Sequence, residues 1–193
     1  MEVAQVGGDP APRAKHICQA EHAGWLATPL RRLMHNPEKI LRGLIEKGQT
    51  VVDLGCGPGY FTLPMARLVG EKGLVIAVDL QQEMLDRLRQ RAEHAGLMPR
   101  IRLHKCEADR IGVRDLVDFA LAFYMVHEVV DAEEYLRQVH DLLKAHGRLL
   151  LVEPKVHVSA SAFGKTVEVA RRVGLTVIAE PRIALSRAVL MER

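Results

Sequence analysis

The chain has 193 residues, a formal net charge of +3, and a composition of 48% hydrophobic and 26% charged residues. This size and composition are typical of one globular domain with a sizeable buried core. The basic residues are spread along the chain, so a nucleic-acid partner is not indicated. An aromatic content of 4% argues against a surface that stacks single-stranded bases.

The three cysteines, Cys18, Cys56 and Cys106, form no closely spaced pair. Isolated thiols favour a reducing compartment over a disulfide scaffold, and with the histidines they form no standard metal-binding pattern. The N-terminus has no apolar signal-peptide core, and the longest apolar run, 119–126, is too short to cross a bilayer. We therefore expect a cytoplasmic protein with no metal and no membrane partner.

The first part of the chain is expected to precede the main fold. Residues 1–14 are rich in Gly, Pro and Ala, which predicts a flexible lead. Residues 15–47 are predicted to form a helical cap, and the whole of 15–193 is predicted to form a single domain. Within the cap, Pro37 is placed for a helix start and Gly48 for a helix stop.

The rest of the chain alternates between β-branched or apolar runs and amphipathic segments. The predicted strands are 50–55, 73–80, 100–108, 117–126 and 148–154, followed by two strands within 175–193. The predicted helices are 60–70, 81–96, 131–147 and 161–174, with Asp131 as an N-cap. Such alternation predicts a doubly wound, Rossmann-like α/β sheet with helices on both faces. The last two strands leave too little chain for a crossover helix, so the final strand is expected to be antiparallel.

A glycine-rich loop follows the first predicted strand. Its pattern is Asp53-x-Gly55-x-Gly57-x-Gly59. Glycine at such a turn allows the backbone to approach a ligand closely. Tyr60 stands where a dinucleotide fingerprint has its third glycine, and the loop lacks the Gly-Lys-Ser or Gly-Lys-Thr ending of a P-loop. Because a carboxylate beside the loop disfavours a pyrophosphate, the pattern suits a ligand with an ammonium group.

The second predicted strand ends in an acid, Asp79, about two dozen residues after the glycine loop begins. A carboxylate at this place can accept hydrogen bonds from both hydroxyls of a ribose. It can also serve as the N-cap of the following helix, and the two roles are compatible.

Taken in order, the motifs resemble a known family. "VVDLGCGPGYFT", "VIAVDL", "HKCEADR", "DFALAFYMVHEV" and "LLLVEP" are similar to the successive motifs of the class I S-adenosylmethionine-dependent methyltransferases. The resemblance covers roughly residues 38–193. It implies that family's sheet, with strand order 3-2-1-4-5-7-6 and strand 7 antiparallel. It also implies S-adenosylmethionine as the cofactor and S-adenosylhomocysteine as the product.

The resemblance further implies a cofactor site. Its residues are Asp53, Leu54, Gly55, Cys56, Gly57, Gly59, Tyr60, Phe61, Asp79, Leu80, Met84, Glu107, Ala108, Asp109 and Phe123. Asp53 and the glycine loop would hold the methionine moiety, and Asp79 would hold the ribose. Phe123 would face the sulfonium. Whether Glu107 or Asp109 meets the adenine edge stays open, because the third motif departs from the family's usual Gly-Asp-Ala-like stretch.

Two residues after the fourth strand are candidates for catalysis. His127 and Glu128 stand where this family often lines the acceptor pocket, and either could act as a general base. The alternative is that His127 hydrogen-bonds a neighbouring loop while Glu128 is solvated. Glu153, Lys155 and His157 follow the fifth strand at the same edge of the sheet.

These observations predict methyl transfer to a small-molecule acceptor. The alternatives are an S-adenosylmethionine-binding regulatory or scaffold protein without turnover, and a methyltransferase acting on RNA, protein or arsenite. A nicotinamide-dependent oxidoreductase is disfavoured by Asp53 and Tyr60. Trp25, in the predicted cap, either shapes the acceptor site or fills an apolar seam. A homodimer is left open.

Overall fold

The computed structural model describes residues 35–193, which form an alternating α/β structure. The strands are β1 (Thr50–Leu54), β2 (Leu74–Asp79), β3 (Ile101–Lys105), β4 (Val117–Phe123), β5 (Leu143–Pro154), β6 (Thr176–Ala179) and β7 (Ser186–Glu192). The helices are α1 (Pro37–Leu41), α2 (Thr62–Val69), α3 (Gln82–His94), α4 (Ala132–Leu142) and α5 (Ala160–Arg172), with 3₁₀ turns at Met98–Arg100 and Val126–Glu128.

The seven strands form one sheet in the order β3-β2-β1-β4-β5-β7-β6. Strands β1 to β5 are parallel, and β7 is antiparallel to both of its neighbours. The predicted fold is therefore confirmed, including its strand order and the reversed last strand. The order changes direction between β1 and β4, and ligands bind outside the carboxyl ends of strands at such a switch point.

Each face of the sheet carries its own apolar core. On one face, strand residues such as Val51 and Phe119 pack against α2 and α3, where Met65 and Leu88 are fully buried. On the other face, α4 and α5 cover the alternate strand residues, and Leu136 is fully buried there. This burial on both faces explains why the central strands read as nearly continuous apolar runs.

The structure describes residues 35–47 of the predicted helical cap, and the helix within them is shorter than expected. Helix α1 begins as expected, with Pro37 in its first turn and the Asn36 side chain accepting a hydrogen bond from the backbone N–H of Lys39. It ends at Leu41 rather than near residue 47, because Gly43 takes a left-handed φ of 75° that breaks the helix. Residues 1–34, with Trp25, lie outside the described residues.

The helix predicted at 131–147 ends five residues early, at Leu142. Its start is confirmed, since the Asp131 side chain accepts hydrogen bonds from the backbone N–H groups of Glu133 and Glu134. The next residue, Leu143, is extended and pairs with Val117 of β4. Pairing with a neighbouring strand thus overrides the helical pattern of this segment.

Candidate active site

The loop after β1 carries three glycines with left-handed φ values of 67°, 52° and 86° at Gly55, Gly57 and Gly59. A Cβ on Gly59 would lie 2.3 Å from the Leu88 side chain, and one on Gly55 would lie 3.1 Å from Met125. A Cβ on Gly57 would have nothing within 4 Å. Two of the glycines are therefore needed for packing, and Gly57 is the one that faces open space.

Asp53, near the end of β1, is held beside this loop by the first residue of α2. The Thr62 hydroxyl donates a 2.5 Å hydrogen bond to Oδ2 of Asp53, and both side chains are buried. Thr62 is not among the residues predicted for the site. Its position at the helix start that follows the glycine loop was the available signal.

Asp79, at the end of β2, connects the glycine loop to the start of α3. Its carboxylate accepts hydrogen bonds from the backbone N–H groups of Gly57, at 2.8 Å, and Gln81, at 2.9 Å. Burial raises the pKa of Asp79, and these backbone donors partly oppose the rise. Gln81, not Asp79, occupies the N-cap position of α3. The carboxylate thus lies next to the residue that faces open space.

The remaining residues of the predicted adenine side lie on both sides of Asp79. Met84 is buried on α3, while Leu80 is half-buried. The backbone N–H of Cys106 donates to the carbonyl of Asp79 at 3.1 Å, which continues the pairing of β2 with β3. Beyond it, the exposed segment 107–110 forms a tight turn that contains Glu107, Ala108 and Asp109.

Two thiols and a phenol close to Asp79 resist ionisation. Burial, followed by the charges of Asp53 and Asp79, raises the pKa of Cys56 well above its ordinary value. Burial also raises the pKa of Cys106 to about 11 and the pKa of Tyr135 on α4. Neither cysteine is therefore a thiolate at neutral pH. Tyr135 was missed in the sequence because only the fold brings α4 beside Asp79.

An aromatic layer lies between the glycine loop and the end of β4. The ring centroids of Phe61 and Phe123 are 4.4 Å apart, and those of Phe123 and Tyr124 are 4.5 Å apart. Tyr60 joins this layer through an edge contact with Phe61, and its hydroxyl donates to the carbonyl of His35. Three residues predicted for the cofactor site, Tyr60, Phe61 and Phe123, are thus brought together.

Tyr124 ends this layer in an uncommon conformation, with a φ of 64°. Its hydroxyl lies 2.5 Å from the Ser186 hydroxyl and 3.1 Å from Nε2 of His35. The contacts join the segment before α1, the end of β4 and the start of β7. Because these segments are far apart in the chain, no local sequence pattern points to the network.

His127 lies in the 3₁₀ turn after β4 and is held by the carboxylate of Glu153 at the end of β5. The backbone N–H of His127 donates to Oε1 at 3.0 Å, and Nδ1 lies 2.5 Å from Oε2. Glu153 is 2% exposed. The hydrogen bond to Glu153 raises the pKa of His127, against an opposing effect of burial. The partner is a buried strand-end carboxylate rather than the neighbouring loop considered from sequence.

The second catalytic candidate, Glu128, lies beside the same imidazole. Its Oε1 is 3.8 Å from Nε2 of His127. The ring of His157 is nearly parallel to that of His127, with centroids 6.3 Å apart. The structure therefore brings both predicted catalytic residues together, and a Cβ on Gly55 of the glycine loop would contact Met125, which precedes them.

Two features of other kinds of site are absent from residues 35–193. No three His, Cys, Asp or Glu side chains of this part are grouped closely enough to hold a metal ion. No helix in it is long and apolar enough to cross a membrane. A polar cleft of about 340 Å³ lies next to Asp118 and Lys144, at the amino ends of the strands. The glycine loop lies at their carboxyl ends.

Comparison with known families decides the assignment. The family described as "Methyltransferase domain" matches residues 45–176. The chain belongs to this family. Its motifs and its sheet place this methyltransferase domain in class I, whose cofactor is S-adenosylmethionine.

Curated relatives of the methyltransferase domain include enzymes named ubiquinone/menaquinone biosynthesis C-methyltransferase UbiE. The protein from Klebsiella pneumoniae is 33% identical over 110 residues, which are 56% of this chain and 44% of that protein. The protein from Escherichia coli K12 is 32% identical over the same length. The match thus spans less than half the length of these relatives.

Solved structures share the fold. A S-adenosylmethionine-dependent methyltransferase from Aquifex aeolicus has a TM-score of 0.81 at 23% identity, covering 90% of this chain and 98% of that one. The cyclase SpnF has a TM-score of 0.65 at 19% identity, covering 79% of this chain and 60% of that one. At these identities the likeness concerns the fold alone, which carries different chemistries in different proteins.

Proposed function

We propose that this methyltransferase domain binds S-adenosylmethionine at the carboxyl ends of β1 and β2 and methylates a small-molecule acceptor beside the turn after β4. The supporting observation is the open backbone at Gly57, tied directly to the Asp79 carboxylate. The ribose hydroxyls of a ligand that approaches this backbone can donate hydrogen bonds to Asp79, since each carboxylate oxygen accepts more than one hydrogen bond.

The fit to this cofactor rests on the groups at the loop. Asp53 is a buried carboxylate beside the loop and suits an ammonium group, while Asp79 suits the ribose. Leu80 and Met84 offer apolar contact for an adenine ring. S-adenosylmethionine supplies an activated methyl group, so the protein mainly aligns the acceptor and excludes water.

On the acceptor side we assign His127 as the general base and Glu128 as a carboxylate that attracts its protonated form. The His127 side chain is 25% exposed, which leaves it within reach of a small molecule while most of it is shielded. The curated relatives are named C-methyltransferases of quinone biosynthesis, which makes quinol-like compounds a first class of acceptor to test.

Two further features are proposed with this function. The described cysteines, Cys56 and Cys106, are free thiols, which supports a reducing, cytoplasmic location. The two cores on either side of one continuous sheet support a single domain over the described residues.

Calorimetry with S-adenosylhomocysteine and with NAD tests the cofactor assignment. We expect S-adenosylhomocysteine to bind and NAD not to bind, because the loop has the wrong pattern for a pyrophosphate. A screen of small metabolites, including quinols, with methyl-labelled S-adenosylmethionine then tests turnover by mass analysis of the products. Preferential NAD binding would refute the cofactor assignment. Binding without any labelled product would support a protein that no longer transfers methyl groups.

A further inference from the structure

We propose that Glu153 is the positioning residue of a His127–Glu153 base, and that the acceptor therefore presents a reacting atom that must lose a proton. Such acceptors are hydroxyls, amines and activated C–H groups, as distinct from thiolates. This inference rests on the proposed methyl transfer and identifies the chemical class of its acceptor.

The geometry at Glu153 fixes both the position and the tautomer of His127. One carboxylate oxygen accepts the backbone N–H of His127 and the other faces Nδ1. Because a carboxylate only accepts, Nδ1 must carry the proton, which leaves Nε2 of the neutral ring with a lone pair. Glu153 is itself buried at the end of β5, so the sheet holds the pair rigidly.

The charged groups around His127 favour its protonated form. Glu153 faces Nδ1 from β5, and Glu128 faces Nε2 at 3.8 Å from the same 3₁₀ turn. His157, in the turn after β5, stacks against the ring. Arg187 of β7 pairs in register with Glu153, but its Nε donates to the carbonyl of Val158. Two carboxylates thus surround an imidazole that is placed to gain a positive charge.

The transfer step balances with this base. The acceptor X–H gives its proton to Nε2 of His127, and the electrons of that bond, or a lone pair of X, form the new bond to the methyl carbon. The sulfur–methyl bond breaks with its electron pair remaining on sulfur, which becomes a neutral thioether. The positive charge of the sulfonium thereby reappears on His127, where the Glu153 carboxylate stabilises it.

The turn that carries His127 also touches the proposed cofactor loop. A Cβ on Gly55 would contact the side chain of Met125, two residues before His127. The backbone N–H of Tyr124 donates to the carbonyl of Val152, just before Glu153. The base and the cofactor loop are therefore connected through one short segment, as a transfer between two bound molecules requires.

Replacement of Glu153 by Gln gives a sharp test. The Gln carbonyl can still accept the backbone N–H of His127, but its amide then donates to Nδ1. The proton of the neutral ring moves to Nε2, which can no longer accept. We expect kcat to fall about 100-fold or more with KM little changed, and Glu153→Asp to recover part of the loss. His127→Asn should match Glu153→Gln.

The measurements combine kinetics with NMR. Long-range ¹H–¹⁵N spectra of His127 should show the Nδ1–H tautomer in the native protein and the Nε2–H tautomer in Glu153→Gln. The kcat profile should rise with pH through a pKa above 6.5 in the native protein, and this rise should be absent in the variant, whose imidazole no longer accepts the proton. Asp141→Asn, which removes the carboxylate of the exposed His140–Asp141 pair, is the matched control. It should change neither the tautomer of His127 nor the pH profile of kcat.

The outcomes separate this inference from the proposed function. S-adenosylhomocysteine binding should be the same in Glu153→Gln as in the native protein, which also confirms that the variant folds. If the acceptor found by screening is methylated equally well by Glu153→Gln or His127→Asn, methyl transfer stands and the base is wrong. If only thiols are methylated, the acceptor class is wrong. If no acceptor is methylated despite cofactor binding, both the proposed turnover and the base are refuted.

Discussion

At the scale of single residues, Asp79 is a buried carboxylate that is also proposed to bind the ribose of the cofactor. The carboxylate is 8% exposed and is held by two backbone N–H groups in the glycine loop and at the start of α3. Asp79→Asn should weaken S-adenosylhomocysteine binding by about 1–3 kcal/mol, because the amide offers one acceptor atom where the carboxylate offers two. Calorimetry measures the change. Asp86→Asn, on the exposed side of α3, is the control and should bind normally.

The pH dependence of cofactor binding follows from the same carboxyl group. Burial holds the pKa of Asp79 in the free protein above 3.8, whereas ribose hydroxyls that donate to it favour its ionised form. Binding therefore releases a proton between the two pKa values. The affinity should rise as the pH increases through the pKa of the free protein, and then level off. Calorimetry in two buffers of different ionisation heat detects the released proton; an affinity that falls over this range would contradict the ribose assignment.

His127 gives a second pH dependence, this time of stability. Its folded pKa is raised above 6.5 by Glu153, so its contribution is fully present below pH 6.5 and is lost as the pH rises through the folded pKa. Glu153→Gln should thus lower the free energy of unfolding more at about pH 6 than at about pH 9, by on the order of 1 kcal/mol. Urea unfolding at both pH values measures this, and an equal loss at both would show that Glu153 does not raise the pKa of His127.

Sequence alone could identify the residues whose role follows from their position in or next to a predicted strand. Asp53, Asp79 and the loop glycines lie within or directly after a recognisable strand, and the structure brings them together. Glu153, Thr62 and their contacts could not be derived in the same way, because each depends on which strand or helix becomes a neighbour. Glu153 was noted only as a residue at the active edge of the sheet.

At the scale of elements, different glycines of the loop serve different purposes: Gly59 allows close packing, and Gly57 leaves room for a ligand. Gly59→Ala would place a Cβ 2.3 Å from Leu88, which is fully buried and cannot move aside easily. Gly57→Ala meets open space and is opposed only by its left-handed φ, a cost of about 1–2 kcal/mol. We expect Gly59→Ala to lower stability more, and Gly57→Ala to lose cofactor binding with the smaller loss of stability. Thermal unfolding and calorimetry on both variants test this, and normal binding by Gly57→Ala would show that the cofactor lies elsewhere.

The elements also show where sequence patterns fail. Strand positions were predictable because buried parallel strands are apolar on both faces. Two of the departures concern helix ends: α1 ends shortly before the left-handed Gly43, and α4 gives way to β5 where Leu143 pairs with Val117. Apolar periodicity continues through both places. What ends these helices is a left-handed backbone conformation in one case and pairing with a distant strand in the other. Neither can be recognised from the neighbouring residues in the sequence.

At the scale of the whole molecule, the described fold brings the ends of β1, β2, β4 and β5 to one edge of the sheet. The two halves of the proposed chemistry lie there on opposite sides of the switch point. The glycine loop follows β1 and Asp79 ends β2, whereas His127 lies in the turn after β4 and Glu153 lies near the end of β5. The strand order was predictable from the family resemblance, while the pairing of His127 with Glu153 emerges only when β4 and β5 are neighbours in the folded sheet.

A ligand that bridges the glycine loop and the end of β2 should stabilise the whole sheet through mass action. At 100 times its dissociation constant, S-adenosylhomocysteine should add about 2.7 kcal/mol to the free energy of unfolding. For a chain of this size that corresponds to a rise in Tm of roughly 5–11 °C. Differential scanning fluorimetry measures the shift, with NAD at the same concentration as the control. Hydrogen exchange should slow most at Gly57 and Gln81, whose N–H groups already bond to Asp79. A shift of equal size with NAD, or slowed exchange confined to the opposite edge of the sheet, would place the ligand away from this loop.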